Sequence, residues 1–145
     1  MDMKLWSLAV CIPLTALLAG QSQDKIYSGA RIDAASTAQA HDISAGRPDL
    51  DVTVYTTADP FEKVFAAFQK KGREFKVIGS RTRKLPNGQE LRDAFFLLDN
   101  ALDLASSRRW VKLQRPYLGQ YGLARNSDGQ YDIRDVTAIV LSVKK

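Results

Sequence analysis

Leu50-Asp51-Val52-Thr53-Val54-Tyr55-Thr56, and after it Asp59-Pro60-Phe61-Glu62-Lys63-Val64-Phe65-Ala66-Ala67-Phe68-Gln69-Lys70-Lys71-Gly72, form the stretch on which the fold turns. The first part alternates apolar and polar residues and is rich in β-branched side chains, the pattern of a half-buried strand. The second part changes period. Asp59 stands as a capping carboxylate, Pro60 at the first helical position and Glu62 three residues past the cap. Phe61, Val64, Phe65 and Phe68 recur at helical spacing, and Gly72 follows Lys70 and Lys71 as a stop. A helix of this kind beside a strand buries its phenylalanine stripe against a sheet, so the stripe reads as core and not as a ligand-binding face.

Downstream, Phe75-Lys76-Val77-Ile78 reads as a second strand, and Ser80 to Glu90, with Pro86-Asn87-Gly88, as a loop. Asp93 to Asp99 gives a third strand. Asn100 to Ser107 has the spacing for a helical turn with Ala101, Leu102, Leu104 and Ala105 on one side. Trp110 to Arg115 alternates again and stops at Pro116, and Val136 to Val143 is a β-branched run closed by Lys144-Lys145. The sum predicts an α+β domain over 50–145, a mostly antiparallel sheet of about five strands with one main amphipathic helix packed on one face.

Upstream, Asp33 to His41 is Ala-rich with Asp33 as a cap, so 23–49 reads as an amino-terminal arm carrying a short peripheral helix. Before it, Lys4 precedes an apolar run from Leu5 to Gly20 that turns abruptly polar at Gln21. The run is shorter than the roughly 20 residues of a membrane-spanning helix and ends in small residues, so 1–22 has the shape of a secretory signal peptide, cut after Ser22. An uncleaved anchor is the alternative. Cleavage removes Cys11, the one cysteine, and leaves a chain of about 123 residues that is large enough to fold on core packing without a disulfide. The expected location is periplasmic or secreted, with no transmembrane span in the mature chain.

The net charge of +5 is unevenly placed. Lys63, Lys70, Lys71, Arg73, Lys76, Arg81, Arg83 and Lys84 face a single acid, Glu74, in that interval, and Arg108, Arg109, Lys112 and Arg115 form a second group. Such a surface attracts phosphate, anionic lipid headgroups or an acidic partner, and in the plainer reading only keeps a basic exported protein in solution. Lys70, Lys71, Arg73, Arg81, Arg83 and Lys84 are the candidate ligand-binding residues. Nucleic acid, stacked on Trp110, Tyr117 and Tyr121, ranks below these because the chain is exported.

Catalytic and cofactor motifs do not emerge. His41 is the one histidine and lies in the weak Ala-rich segment, so histidine-dependent nucleophile and metal schemes have little to work with. No strand runs into a glycine-rich phosphate loop, and no cofactor or metal is called for. Ala124 to Asp135 matches a calcium loop at several positions but begins with Ala124 where the first carboxylate belongs, and Ser127-Asp128-Gly129 serves equally as a hairpin tip. Carboxylates such as Asp93, Asp99 and Asp103 support one alternative, a small carboxylate-dependent hydrolase of the cell envelope.

Together, Val52 to Val64, Ala94-Phe95-Phe96-Leu97-Leu98-Asp99, Trp110 to Tyr117 and Arg134 to Val140 resemble a group of small exported bacterial α+β proteins of unassigned function. The resemblance implies export and compactness and carries no catalytic residues. The sequence reading is therefore an exported, non-catalytic protein that binds a partner or an anionic ligand through a basic surface.

Overall fold

The computed structural model describes residues 25–77, 83–119, 129 and 131–145. The alternating segments form long strands: β2 (Leu50–Thr57), β5 (Glu90–Leu97), β6 (Arg109–Arg115) and β7 (Thr137–Lys144). Three short pieces join them, β1 (Arg31–Ile32), β3 (Arg73–Phe75) and β4 (Arg83–Lys84). The sheet runs β1-β2-β7-β6-β5-β3, with β4 also on β5, and every pairing is antiparallel.

The α+β class and the antiparallel sheet stand, but the expected five strands with one main helix on one face are overturned by seven strands and two helices among the described residues. The extra strands are too short to have a period, so their sequence carries no strand pattern. The second helix, α1 (Ala34–Ile43), lies on the opposite face from α2 (Phe61–Gln69). Its one buried apolar side chain, Ala40, packs with Val52, Val54 and Ala138. α1 also closes the open edge of β2: Thr37 Oγ1 accepts from Val54 N at 3.0 Å, and His41 Nε2 bonds Val52 O at 2.9 Å. Backbone groups at a sheet edge need such partners, which holds a helix in place without a strong apolar stripe.

On the other face, Val64 and Phe68 of α2 are fully buried on β5 and β6 against Phe96, Val111 and Leu113. Phe65 meets Phe96 edge-on with ring centroids 5.1 Å apart. Ile26 and Tyr27 belong to the same core, so the segment before α1 is packed into the domain.

The ends of α2 differ from the sequence reading. Pro60, not Asp59, is the N-cap, and its carbonyl accepts from Lys63 N and Val64 N. The Asp59 carboxylate is taken by two other donors, the Tyr27 hydroxyl at 2.6 Å and the Lys63 ammonium at 3.0 Å. Gly72 is not in the left-handed region. A Cβ there would lie 2.4 Å from Leu97 O, so glycine is needed for the close approach of the chain to β5. β3 begins at once after it, at Arg73 instead of Phe75; Ile78 lies outside the described residues. Asn100 to Ser107 forms turns and no helix, and Leu102, expected on a buried side, is 81% exposed. Ser106 N and Oγ both bond Asp103 Oδ1 at 2.8 Å, a local closure that competes with helical hydrogen bonds.

Candidate functional site

The two ends of the sheet use their charges differently. Where β5 begins and β6 stops, cations meet carboxylates: Arg92 with Glu62, Arg115 with Asp135 at 2.9 Å, Arg134 with Asp33 at 2.7 Å and Lys63 with Asp59 at 3.0 Å. A cleft of about 320 Å³ opens there between Phe61, Gln89, Arg92, Arg115 and Asp135, and its arginines are already neutralised.

Where β5 stops and β6 starts, three cations meet backbone carbonyls, although an Arg47–Asp49 ion pair at 3.6 Å also stands at this end, by the start of β2. Arg73 donates to Ala101 O, Lys71 to Ile26 O, and Lys144 to Ala105 O at 2.7 Å. A carbonyl orients an ammonium or guanidinium but leaves its net charge in place. Lys71 and Lys144 also lie over the rings of Phe68 and Trp110, 5.4 and 5.5 Å from their centroids. Lys25, Ile26, Lys71, Leu98 and Arg109 line a cleft of about 210 Å³ at this end. Among the described residues, the charged groups of Lys25 and Arg109 make no ion pair. The cleft thus joins one cation from each basic group of the sequence to Lys25, over an apolar floor.

The acids at this end are engaged by their own turns. Asp99 accepts from Ser107 Oγ at 2.8 Å, Arg108 N at 2.6 Å and Arg109 N at 3.2 Å. Burial alone raises its pKa, but the hydrogen bonds from Arg108 N and Ser107 outweigh it and hold the carboxyl below its usual range. Asp103 is lowered first by the Ser106 amide and then by the Ser106 hydroxyl, and the Lys144 charge adds to the shift. Both carboxylates are thus stabilised as anions. Asp93 is on the opposite sheet face, in the row of Gln114 and Ala138.

The structure divides the basic residues singled out from sequence. Lys70 is the C-cap of α2, and Lys71 and Arg73 follow it at the carbonyl-bonded end. Arg83 and Lys84 pair with Leu91 and Glu90, whereas Arg73 pairs with Leu97. Strand rise separates these two sets by about 20 Å. Arg81 lies outside the described residues. Arg83 instead lines a cleft of about 180 Å³ with Lys112, Gln114 and Tyr117. Lys25 and Lys144 were missed by sequence reasoning because Lys25 stands alone among polar residues and Lys144-Lys145 read as the close of the last strand; the packing of Ile26 and the pairing of β7 with β6 bring them to this end.

Tyr117 is 1% exposed beneath the Arg134 guanidinium, which stands 4.6 Å from its centroid, so its ring is not available for stacking bases. Most of the calcium-like loop, and Tyr121, lie outside the described residues; Asp135, its last position, is ion-paired with Arg115. Among the described residues no cluster of three His, Cys, Asp or Glu could hold a metal ion, and no helix is long and apolar enough to cross a membrane. Compared with known proteins, the chain matches no family model, no curated protein and no solved structure.

Proposed function

We propose that this is an exported, non-catalytic protein that binds an anionic ligand through the end of the sheet built from Lys25, Lys71, Arg73, Arg109 and Lys144. The observation that carries the reading is the partner choice of these cations. Three are fixed by neutral carbonyls and two line a cleft without an ion pair among the described residues, so positive charge is held in place, offset in part at Lys144 by the nearby Asp103 carboxylate. A preorganised cationic cleft with Leu98 and Ile26 as its floor suits a phosphate or carboxylate that carries an apolar neighbour.

The test is a calorimetric titration of the exported protein with inorganic pyrophosphate at low and high salt. Binding should weaken as salt rises, because exposed charges are screened. Lys25→Glu with Arg109→Glu should weaken it by about tenfold or more, since each contact at ~4 Å in water is worth about 1 kcal/mol, while the melting temperature stays put. Lys84→Glu, at the far end of β5, should leave binding unchanged. Absence of binding at low salt, or an equal loss from Lys84→Glu, would refute the assignment.

A further inference from the structure

The geometry points to a second binding site, separate from the cationic end, for a small aliphatic monocarboxylate: the cleft of about 180 Å³ lined by Arg83, Lys112, Gln114, Leu118 and Val140. It lies on the sheet face away from α2, because Lys112 and Gln114 alternate along β6 with Val111 and Leu113, which α2 covers. Arg83 stands opposite Leu91 on β5, and Lys112 stands opposite Phe95 on the same strand. Strand rise sets these two positions about 13 Å apart along β5, and Gln114, in the row of Asp93, falls between them. Two long cationic side chains thus reach the cleft from opposite directions, over a central amide.

Gln114 carries the argument. It is 6% exposed. Its orientation is fixed, because Leu118 N can only donate and does so to Gln114 Oε1 at 3.1 Å. Nε2 therefore turns its hydrogens elsewhere, and among the described residues no acceptor meets them. Nor is it sealed in: among the described residues Arg134 Nε is the buried side-chain atom without a partner, so the Gln114 nitrogen opens on the cleft that the residue lines. A nearly buried amide with spare donors at a cleft wall is incomplete without an acceptor.

The head groups of Arg83 and Lys112 are donors as well. Among the described residues neither makes a hydrogen bond or an ion pair; Lys112 rests over the Phe95 ring, 5.9 Å from its centroid. Asp93, across from Gln114 on the same face, makes no ion pair among the described residues and offsets one of the two cations. Counting these three groups, the cleft is basic by a single charge. Leu118 and Val140 give it apolar walls. One carboxylate on a short apolar body answers that set: the guanidinium fork takes both of its oxygens, whereas a doubly charged phosphate brings more negative charge than the cleft offsets beside Asp93. The space equals the share of about six waters in the liquid, which suits an acid of about four carbons.

The test is an NMR titration of the isotope-labelled exported protein with butyrate, and with butyramide as the uncharged isostere. Butyrate should shift the Gln114 side-chain amide and the backbone amides of Lys112 and Leu118 along one saturable curve, leaving Lys25, Lys71 and Arg109 unmoved. Butyramide should bind about tenfold more weakly, because a hydrogen bond to a charged group is the stronger. Arg83→Gln, an exposed change, should weaken butyrate about tenfold, with melting temperature and pyrophosphate affinity as in the wild type. Gln114→Glu keeps an oxygen for Leu118 N, replaces the donors by a carboxylate and should abolish butyrate binding. No saturable shift of the Gln114 side-chain amide, an equal response to butyramide, or wild-type butyrate affinity in Arg83→Gln would each overturn the site while leaving the pyrophosphate reading untouched. Displacement of butyrate from Gln114 by pyrophosphate would overturn the assignment to a carboxylate.

Discussion

Replacing Gly72 by alanine tests the junction on which the cationic end is built. The new Cβ would lie 2.4 Å from Leu97 O, 3.2 Å from Leu97 C and 3.0 Å from Leu98 Cδ2. The first two are backbone atoms of β5 and its exit, paired to β3 and β6, so they cannot swing aside as a side-chain tip would. Overpacking of this kind costs about 1–3 kcal/mol. Taking about 2 kcal/mol, and about 4 °C per kcal/mol for a domain of this size, the melting temperature should fall by roughly 8 °C. Gly46→Ala is the matched control, because its Cβ meets nothing within 4 Å and its φ is not positive. There the stiffer unfolded chain should leave stability unchanged or higher by about 0.4–1 kcal/mol. Differential scanning calorimetry of the two variants reads both effects, and pyrophosphate titration reads a third. Gly72 lies between Lys71 and Arg73, so a backbone shift displaces two of the fixed cations and weakens binding. Equal melting temperatures for the two variants would refute the close-approach argument.

Tyr27→Phe should lower the melting temperature by about 1–2 kcal/mol equivalent at neutral pH, since a hydrogen bond to a charged acceptor is lost. Burial and then the Asp59 bond push the Tyr27 hydroxyl up to about 12. Its folded pKa is raised above the unfolded value, so that contribution is full below about pH 10 and is lost as pH rises through 12; an alkaline melting series should show the loss in the wild type and not in Tyr27→Phe. Asp33→Ala removes both the bond from Ser36 N at 2.9 Å and the Arg134 ion pair. Burial raises the Asp33 pKa, but the Ser36 and Arg134 bonds outweigh it and the net shift is downward. A lowered folded pKa stabilises above the unfolded value near 3.9 and is lost as pH falls below it. The melting gap between wild type and Asp33→Ala should therefore narrow below about pH 4, and a gap that widens there would show the sign to be wrong.

How much was legible follows from what leaves a period in sequence. Val52 and Val54, the Phe61–Phe68 stripe, and the β-branched run of β7 carry the patterns of their elements, and each formed where its pattern lay. Asp33 was readable as a cap because its bond to Ser36 is local. Asp59 looked the same and was not a cap, because Tyr27, 32 residues away, competes for the carboxylate. α1 was undervalued for the same kind of reason: the partners of Thr37 and His41 are β2 backbone atoms. β1 and β4 have two residues each and no pattern to read. In the candidate site, Lys71 and Arg109 were visible as members of charge runs, but their meeting with Lys25 depends on the packing of α2 over β5 and β6.

Net charge is thus the wrong quantity by which to read this surface; local compensation is the useful one. The excess of +5 is small beside the 21 basic residues that produce it, because 16 acids offset most of them. In the fold much of the pairing gathers at one end of the sheet, with Arg47–Asp49 and His41–Asp51 lying instead at the start of β2. Arg92, Arg115, Arg134 and Lys63 are matched to carboxylates that tie α1, α2 and the strand ends together. Removing a partner there changes how segments are held, and an incoming anion must first break a bond. Arg73, Lys71 and Lys144 are matched to carbonyls, which fix position without neutralising the cation, although Asp103 offsets Lys144 in part. An anion approaching that end breaks no ion pair made by these three cations. The same bonds spare it the ordering entropy of loose lysine and arginine side chains, about 0.5–1.5 kcal/mol each, so a modest number of cations at one end can outcompete a larger number spread over the rest of the surface.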